Sequence, residues 1–497
     1  MISRRGRHYP PGPPQLPIVG NWFDLPSTEP WVKFADWSEH YQSDLVHLNV
    51  FGTHILVVNS AEVAKALFEG KSALYGDRPR MTMLNELVGL SWLLGFIPQG
   101  DTWKTHRKIL ANNFNPASVS QFRPHQLKWR NIFLQNLLKT PDEFFTHIQH
   151  LASGLSLDLV FGLDVASSGE PDPFIHAANE VVDGLAATGI FGTYLVDYLP
   201  FLKHLPFGRY QHQAKHWKTF VDIAITVPFD MVKANMAIKS PKLVVYIQAA
   251  EREVRPSIAS RLVYGGVFTQ ENIRQTTSTM FANGSAALVS ALRTFILAMS
   301  LHPEIQHKAH NEIDVVLLNS GKAIPALPDF DDELSLPYIS AIVKEVLRWN
   351  PVVPLAFAHR LTTDDVYNGY HLPAGSVVLP NAWAMLHDLK TYGDDVSAFR
   401  PERFLTKGGA LDPNVKNPDV AFGFGRRICP ARNFALSELF IFIASTLAIF
   451  EITSIEGLNA GTKPQYTSGL LRYPYPFRSI IKPRSPKHKE VIEGLAS

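Results

Sequence analysis

The chain contains a single cysteine, Cys429, in the loop 422–431, whose sequence is FGFGRRICPA. A lone cysteine cannot form an internal disulfide or a zinc site with several cysteines. It is therefore a buried free thiol, a nucleophile or a one-thiolate metal ligand. The neighbouring cations Arg426 and Arg427 and the start of a helix would all favour a thiolate. The loop therefore predicts a metal ligand.

Two further pairs of residues have helical spacing. Glu345 and Arg348 are three residues apart, and Trp103 and Arg107 are four apart, so each pair shares one face of a predicted helix. Solvent-exposed charged pairs at this spacing stabilise a helix by only about 0.2–0.5 kcal/mol. Taken alone, neither pair predicts a function.

The elements that would position these residues are mostly helices. Apolar residues recur at helical spacing in eight stretches, at about 61–69, 101–112, 125–139, 146–161, 272–300, 304–318, 338–349 and 430–450. The stretch 272–300 is unusually long and stops before Pro303, so we expect it to cross the core. The stretch 430–450 has too few consecutive apolar residues to span a bilayer, so we expect a buried helix.

Two β-hairpins are predicted between the helices. The first spans residues 45–58 and turns at Gly52, and the second spans residues 370–379 and turns at Pro373-Ala374-Gly375. The predicted fold class is therefore mainly α with small β-sheets, an α+β arrangement. No linker or internal repeat divides the chain.

Together these features resemble the cytochrome P-450 haem-thiolate family over nearly the whole chain. The cysteine loop matches the family pattern Phe-x-x-Gly-x-Arg-x-Cys at Phe422, Gly425, Arg427 and Cys429. Ala431 stands where the family usually has glycine. The resemblance implies a cytochrome P-450-like fold, haem b as the cofactor and Cys429 as the proximal iron ligand.

The resemblance also implies roles for residues far from this loop. It implies that Arg403 completes a buried network with Glu345 and Arg348, and that Gly284 leaves room for a ligand beside the haem. It further implies a set of residues that contact the haem propionates, namely Trp103, Arg107, His359 and Arg427.

The central predicted helix departs from the family pattern. Oxygen-activating members carry an acid and a threonine where this chain has Ala286 and Ala287. The acid and the alcohol deliver protons during oxygen activation, and such general-acid catalysis contributes about 10²–10⁴ in rate. Asn283, Ser285, a substrate hydroxyl or ordered water are the candidate substitutes. Alternatives are a haem-thiolate peroxygenase or isomerase, and a catalytically impaired haem-binding protein.

We expect a haem-dependent monooxygenase that inserts one oxygen atom from O₂ into a lipophilic small molecule, in fungal secondary metabolism. An NADPH-cytochrome reductase would supply the electrons, because the chain has no flavin or nicotinamide motif. The positions that contact substrate in the family are apolar here, at Met81, Met83, Leu84, Leu87, Trp92, Leu185, Ile190, Phe191, Phe281, Val353, Leu355, Phe357, Leu470 and Leu471.

The amino-terminal residues 1–25 are basic and proline-rich, and we interpret them as a hinge before a catalytic domain at 26–497. We expect the membrane anchor of related enzymes to be absent from this sequence. The expected location is the cytosolic face of the endoplasmic reticulum, or the cytoplasm if the anchor is naturally absent. Apolar residues at 198–202 and 205–207 suggest either a peripheral membrane contact or packing against the protein core. A net charge of +2 gives no indication of nucleic-acid binding.

Overall fold

Helices dominate the computed structural model, which describes residues 8–170, 172–205, 208–237, 255–322, 324–455 and 464–496. The protein is 59% helical with small sheets, as predicted. The α-helices are Pro30–His40, Ala61–Ala64, Ser72–Tyr75, Asp101–Phe114, Pro116–Val119, Arg123–Lys139, Phe144–Phe161, Pro173–Thr188, Leu195–Tyr198, Arg209–Ala237, Ile258–Gly265, Gln270–Leu301, Pro303–Asn319, Pro337–Trp349, Ala382–Leu386, Leu389–Tyr392, Arg432–Ile449 and Pro486–Glu493.

Tighter and wider helical turns connect these helices. π-Helical turns span Lys65–Gly70 and Thr82–Val88. The 3₁₀ turns are Trp22–Asp24, Ser120–Phe122, Pro141–Glu143, Pro200–His204, Phe330–Ser335, Pro401–Phe404, Asp419–Phe422, Gly425–Arg427 and Gly494–Ala496.

All eight helices predicted from apolar spacing are present, with small differences at their ends. The predicted helix 61–69 consists of an α-helical turn that continues into a π-helical turn. The helix Arg209–Ala237 was not predicted, because it contains Pro228, a residue that normally interrupts a helix. Four more described helices of eight or more residues were missed, Pro30–His40, Pro173–Thr188, Ile258–Gly265 and Pro486–Glu493.

The helix Gln270–Leu301, called the central helix below, crosses the core as expected. Its amino end is capped by Thr269, whose side chain accepts a hydrogen bond from the Asn272 N–H, and it ends just before Pro303. Leu288 and Phe295 of this helix lie in one buried cluster with Leu151 and Phe440 from two neighbouring helices. These contacts place the central helix against the helix that follows Cys429.

Two described helices are apolar and long enough to cross a membrane, the central helix and Arg432–Ile449. However, 83% of the most apolar window of the central helix and 72% of that of Arg432–Ile449 are buried inside the protein. The expectation that 430–450 forms a buried helix is therefore confirmed.

The largest sheet has four strands in the order β1 (Leu45–Val50), β2 (Thr53–Val58), β6 (Val377–Pro380) and β3 (His359–Arg360). Strands β1 (Leu45–Val50) and β2 (Thr53–Val58) are antiparallel, with Val50 opposite Thr53. Phe51 and Gly52 between them have positive φ angles of 48° and 83°, which a tight two-residue hairpin turn requires. The first predicted hairpin is confirmed.

The second predicted hairpin is wrong, because its two strands belong to different sheets. Strand β5 (Tyr370–Leu372) pairs with β4 (Asp365–Tyr367), whereas β6 (Val377–Pro380) pairs with β2 and with β3 (His359–Arg360). The actual hairpin turns at Asn368-Gly369, where both φ angles are positive. Asn-Gly is the residue pair that favours such a turn.

A third, two-stranded sheet joins β7 (Phe450–Ser454) to β8 (Ser479–Pro483) after the helix Arg432–Ile449.

At the other end of the chain, the proline-rich segment lies against the first hairpin. The His47 N–H donates to the Pro11 carbonyl at 2.9 Å, and the Asn21 side chain donates to the Pro13 carbonyl at 3.1 Å. The domain boundary after residue 25 stays a prediction.

Candidate active site

The loop before Cys429 is folded tightly by local backbone contacts. The Cys429 N–H donates to the Phe422 carbonyl at 2.7 Å, which closes the loop around the cysteine. Gly425 has a φ of 50°, and a Cβ there would lie 2.2 Å from the Phe68 carbonyl oxygen. Any side chain at 425 would therefore displace the backbone. The helix Arg432–Ile449 begins three residues after Cys429.

Burial raises the pKa of the half-buried Cys429 thiol. The Ala431 backbone N–H and the charges of Arg107 and Arg432 act in the opposite direction, but they do not overcome it. A thiol with a raised pKa is a poor free nucleophile at neutral pH. Coordination to a metal ion, in contrast, deprotonates a thiol outright. The environment thus favours the metal-ligand interpretation over the nucleophile.

The cations that act on the thiol are not the ones predicted from the sequence. Arg427 was expected to stabilise the thiolate, but its side chain turns away from Cys429. Its Nε donates to the Gly76 carbonyl at 2.8 Å, and its Nη1 donates to the Ile97 carbonyl at 2.9 Å. The cations whose charges act on the thiol are Arg107 and Arg432 instead. Arg107 donates a hydrogen bond to the Ile428 carbonyl, next to the cysteine.

The structure brings the predicted propionate residues together from distant parts of the chain. The Arg427 guanidinium lies over the Trp103 ring, 4.4 Å from its centroid. His359 Nδ1 must donate to the Tyr75 carbonyl, 2.6 Å away, which leaves Nε2 for another partner. Burial and the charges of Arg78 and Arg427 hold the pKa of His359 well below its usual value.

Arg78 belongs to the same cluster and was not predicted. Its buried guanidinium donates from Nη1 to the carbonyls of Phe357, at 3.0 Å, and Ala358, at 2.6 Å. Burial, followed by the charge of Arg427, lowers its pKa, and Asp77 opposes this shift. Arg78 shares no helical spacing or motif with the other residues, so only the tertiary structure reveals it.

This cluster of cations has more buried donors than the protein satisfies. Arg78 Nε and Arg427 Nη2 are both buried without a hydrogen-bond partner. Burial lowers the pKa of Arg427 to about 10, with Asp77 as the carboxylate whose charge opposes the shift. Leaving charged donors buried and unpaired is unfavourable, so the cluster fits an anionic guest with two carboxylates. A haem with two propionates meets this requirement.

Among the described ranges of the chain, no group of three His, Cys, Asp or Glu side chains could hold a metal ion. A metal at Cys429 would therefore bind a single thiolate and take its remaining ligands from elsewhere. This donor set fits haem iron, whose porphyrin supplies four nitrogens. When bound, haem supplies the redox chemistry that activates dioxygen.

The central helix is exposed at Gly284, the residue predicted to leave room for a ligand. Gly284 is exposed, and a Cβ there would meet only Ser156 Oγ, at 3.4 Å.

The Ser285 hydroxyl, a candidate proton donor, is buried and donates within the helix to the Phe281 carbonyl at 3.0 Å. Ser285 is therefore a poor substitute for the missing acid and alcohol. The Tyr473 hydroxyl reaches the Ala286 carbonyl at 3.4 Å.

The implied Glu-Arg-Arg network is present and buried. Arg348 binds Glu345 through two hydrogen bonds of 2.7 and 2.8 Å, and both side chains are 0% exposed. Arg403 Nε lies 3.2 Å from the same carboxylate. Arg403 also donates to the Tyr392 carbonyl, so the network ties the helix Pro337–Trp349 to the segment before the cysteine loop.

The predicted substrate-contacting residues gather in one place, with one exception. They form, or pack against, a single apolar cluster that also contains Ala282 and Ala286 of the central helix. Phe281 is the exception, because it belongs to a separate cluster with Phe161. The cluster supports a lipophilic guest beside the central helix.

We expect Arg78→Gln to weaken haem retention, because it removes one of the buried cations that would pair with a propionate. Charge-assisted hydrogen bonds contribute about 1.5–3 kcal/mol, so haem loss should accelerate roughly 10- to 100-fold. Transfer of haem to an apo-globin acceptor measures this rate. Arg80→Gln is the matched control, because Arg80 is 58% exposed and pairs with Glu86 at the surface. Equal rates in both variants would contradict the role of Arg78.

Comparisons with known proteins show the family to which the chain belongs. The family model for Cytochrome P450 matches residues 10–480. Cytochrome P450 monooxygenase 98 from Postia placenta is 39% identical over 98% of this chain and 92% of its own length. Tryptamine 4-monooxygenase from Psilocybe cyanescens is 38% identical over 99% of this chain and 96% of its own length.

These findings confirm the predicted fold, the enzyme class and the resemblance to fungal members of the family. The family implies a haem iron cofactor, and its members generally use a redox-partner reductase and lipophilic substrates. The chain belongs to the cytochrome P450 family and is a haem monooxygenase.

Proposed function

We propose that the chain binds haem b and inserts one atom of O₂ into a C–H or C=C bond of a lipophilic small molecule of fungal secondary metabolism. The observation that carries this proposal is the half-buried thiol of Cys429, together with the cluster of Arg78 and Arg427, in which Arg78 Nε and Arg427 Nη2 are buried without a hydrogen-bond partner. The proposed haem-binding residues are Cys429, Phe422, Gly425, Gly284, Trp103, Arg107, His359, Arg427 and Arg78.

The chain's own residues would bind and shield the reactants. The apolar cluster around Leu185, Leu355 and Leu471 would orient the substrate and exclude water. The ion pair of Glu345 and Arg403 would fix the position of the segment that precedes the cysteine loop. The other oxygen atom leaves as water, which requires two electrons and two protons.

An NADPH-cytochrome reductase is the proposed electron donor, since the chain lacks a flavin or nicotinamide motif of its own. We place the enzyme at the cytosolic face of the endoplasmic reticulum, or in the cytoplasm if no anchor exists, with residues 1–25 as the hinge. Phe201 is 61% and Leu205 is 47% exposed, which supports a peripheral membrane contact, whereas Tyr198 is buried. The rest of this predicted patch, residues 206–207, lies outside the described residues.

The test of this function is turnover with ¹⁸O₂, NADPH and a cytochrome reductase, using substrates first selected by their shift of the haem absorption band. The proposal expects one ¹⁸O atom in the product. Product with peroxide alone would instead indicate the peroxygenase alternative. No product by either route, despite full haem occupancy, would indicate an impaired enzyme.

The peroxygenase or isomerase alternative is supported by the central helix. Ala286 and Ala287 lack proton donors, and the Ser285 hydroxyl is already bonded within the helix. A haem-thiolate enzyme that begins from peroxide or from an oxygenated substrate does not activate dioxygen. It therefore does not need the acid-alcohol pair to deliver protons for that step.

We expect the double substitution Ala286→Asp with Ala287→Thr to increase the product formed per NADPH by about tenfold or more, because it restores a general acid. The matched control is Ala286→Asn with Ala287→Thr, which has nearly the same shape but no acid. An equal effect of both variants, or no improvement in coupling, would contradict the assigned defect in proton delivery.

A further inference from the structure

A cavity of about 770 Å³ lies beside the apolar cluster described above. One of its walls comes from residues 190–198, which we call the cavity loop. Ile190 and Phe191, two of the predicted substrate-contacting residues, belong to the part of this loop that lines the cavity. The position of the cavity loop therefore determines the width of this part of the substrate region.

The cavity loop is tightly folded upon itself. Gly192 has a φ of 85°, and a Cβ there would lie 2.0 Å from the Tyr198 hydroxyl. The Tyr198 ring in turn contacts Phe191 and Trp22 edge-on, with 5.4 and 5.8 Å between ring centroids. We therefore expect the loop to move as one unit.

The side chain of Asp197 joins the cavity loop to the π-helical turn Thr82–Val88. Its Oδ1 accepts a hydrogen bond from the Met83 N–H at 2.9 Å, across 114 residues of sequence. Met83 and Leu84 are predicted substrate-contacting residues, and both are buried in the same apolar cluster as Phe191. One carboxylate thus joins two segments that are predicted to contact the substrate.

The Asp197 carboxylate is buried with few hydrogen-bond donors. The residue is 7% exposed, and within the part of the chain that the structure describes its Oδ2 has no hydrogen-bond partner. The backbone N–H groups of Gly192 and Thr82 act on the carboxylate, but neither closes a hydrogen bond on Oδ2. A buried carboxylate with one free oxygen is less stable when ionised than when protonated.

The groups around Asp197 act on it in the same sense. Burial raises the pKa of Asp197 to about 6, against the effect of the Met83 N–H, and the charge of Glu86 adds to the rise. Tyr194 and Tyr198, on the cavity loop itself, have pKa values raised by burial and then by the charge of Asp197. Both tyrosines therefore stay neutral near pH 7, and neither compensates the carboxylate.

A second link between the same two regions does not titrate near neutral pH. Lys203, just after the cavity loop, pairs with Glu86 of the turn at 2.6 Å, and Arg80 pairs with the same carboxylate at 2.6 Å. The hydrogen bond from Arg80 is the main cause that lowers the pKa of Glu86 to about 2. Glu86 stays ionised above pH 5, so a change of pH in this range acts on Asp197 alone of the two links.

We propose that Asp197 is a positioning residue that holds the cavity loop against the turn Thr82–Val88, and that its ionisation loosens this contact. Protonated Asp197 keeps the acceptor for the Met83 N–H without a buried charge. Burial raises the pKa of Asp197 above its usual value of 3.8. The closed contact is therefore most stable below pH 3.8 and loses stability as the pH rises through about 6.

Hydrogen exchange of the holoenzyme tests this proposal, with mass spectrometry of peptides that cover residues 81–88 and 190–199. The exchange rates are divided by the intrinsic rates at each pH, which gives the protection of the amides. We expect protection in both peptides to be about tenfold lower at pH 7 than at pH 5, and nearly constant from pH 7 to pH 8. The two peptides should change together, because one carboxylate joins them.

Asp197→Asn keeps an acceptor oxygen for the Met83 N–H but cannot ionise, so its protection should stay at the wild-type level of pH 5 up to pH 8. Asp197→Ala lacks the acceptor and should show low protection at every pH. Asp172→Asn is the matched control, because Asp172 is also buried and accepts from the Phe174 N–H at 2.9 Å, at the start of the helix Pro173–Thr188. It should keep the wild-type pH dependence.

Wild-type protection that does not change between pH 5 and pH 7 would overturn the inference. The same pH dependence in Asp197→Asn as in the wild-type enzyme would also overturn it, as would its loss in Asp172→Asn. Any of these results would leave the proposed haem function unaffected, because hydrogen exchange records neither haem ligation nor turnover.

Discussion

Cys429→Ser is expected to abolish thiolate ligation and to reduce monooxygenase activity to background. The chain has no second cysteine to replace the lost sulfur. A serine hydroxyl is far less acidic than a thiol, and it cannot donate the electron density that favours O–O cleavage. The measurement is NADPH-dependent product formation, together with the absorption spectrum of the reduced protein with carbon monoxide.

Ala431→Gly is the control for this experiment, because it alters the same loop toward the usual family residue without touching the sulfur. We expect it to keep the spectrum and the activity of the wild-type enzyme. Wild-type activity in Cys429→Ser would show that the chemistry does not depend on this sulfur.

Glu345→Gln is expected to lower the free energy of unfolding by about 3–5 kcal/mol, the usual cost of breaking a buried ion pair. The substitution keeps the shape of the side chain but leaves the Arg348 guanidinium buried without its counter-charge. Arg403 loses one of its two carboxylate partners and keeps Asp395, 3.1 Å away. Urea denaturation measures the change, and retention of haem should fall with it, because this network supports the cysteine loop.

Asp419→Asn is the matched control for this network. Asp419 is 57% exposed and lies 3.5 Å from Arg432, an ordinary surface pair. Its loss should change the free energy of unfolding by less than about 1 kcal/mol. Similar effects of the two substitutions would mean that burial does not strengthen the Glu345 network.

Local patterns predicted eight of the helices and the first hairpin, because those elements depend on nearby residues. The spacing of apolar residues was sufficient for the central helix and for the helix after Cys429. The second hairpin was assigned to the wrong turn, because Pro373-Ala374-Gly375 is also a turn sequence. The pairing partner of β6 is β2, more than 300 residues earlier, which local patterns do not encode.

The candidate site was predicted where the motifs are contiguous and was missed where tertiary packing creates it. Cys429 and the Glu345 network follow from motifs. Arg78 does not, because it acquires its surroundings from chain segments far away in the sequence. The raised pKa of Cys429 was also unexpected, since burial outweighs the neighbouring charges.

The most direct test of this account is the difference spectrum of the purified, dithionite-reduced protein with carbon monoxide. Thiolate ligation by Cys429 predicts a strongly red-shifted haem band, which would be typical of such ligation. A band at the position typical of a neutral histidine ligand, or a protein that binds no haem at all, would contradict it.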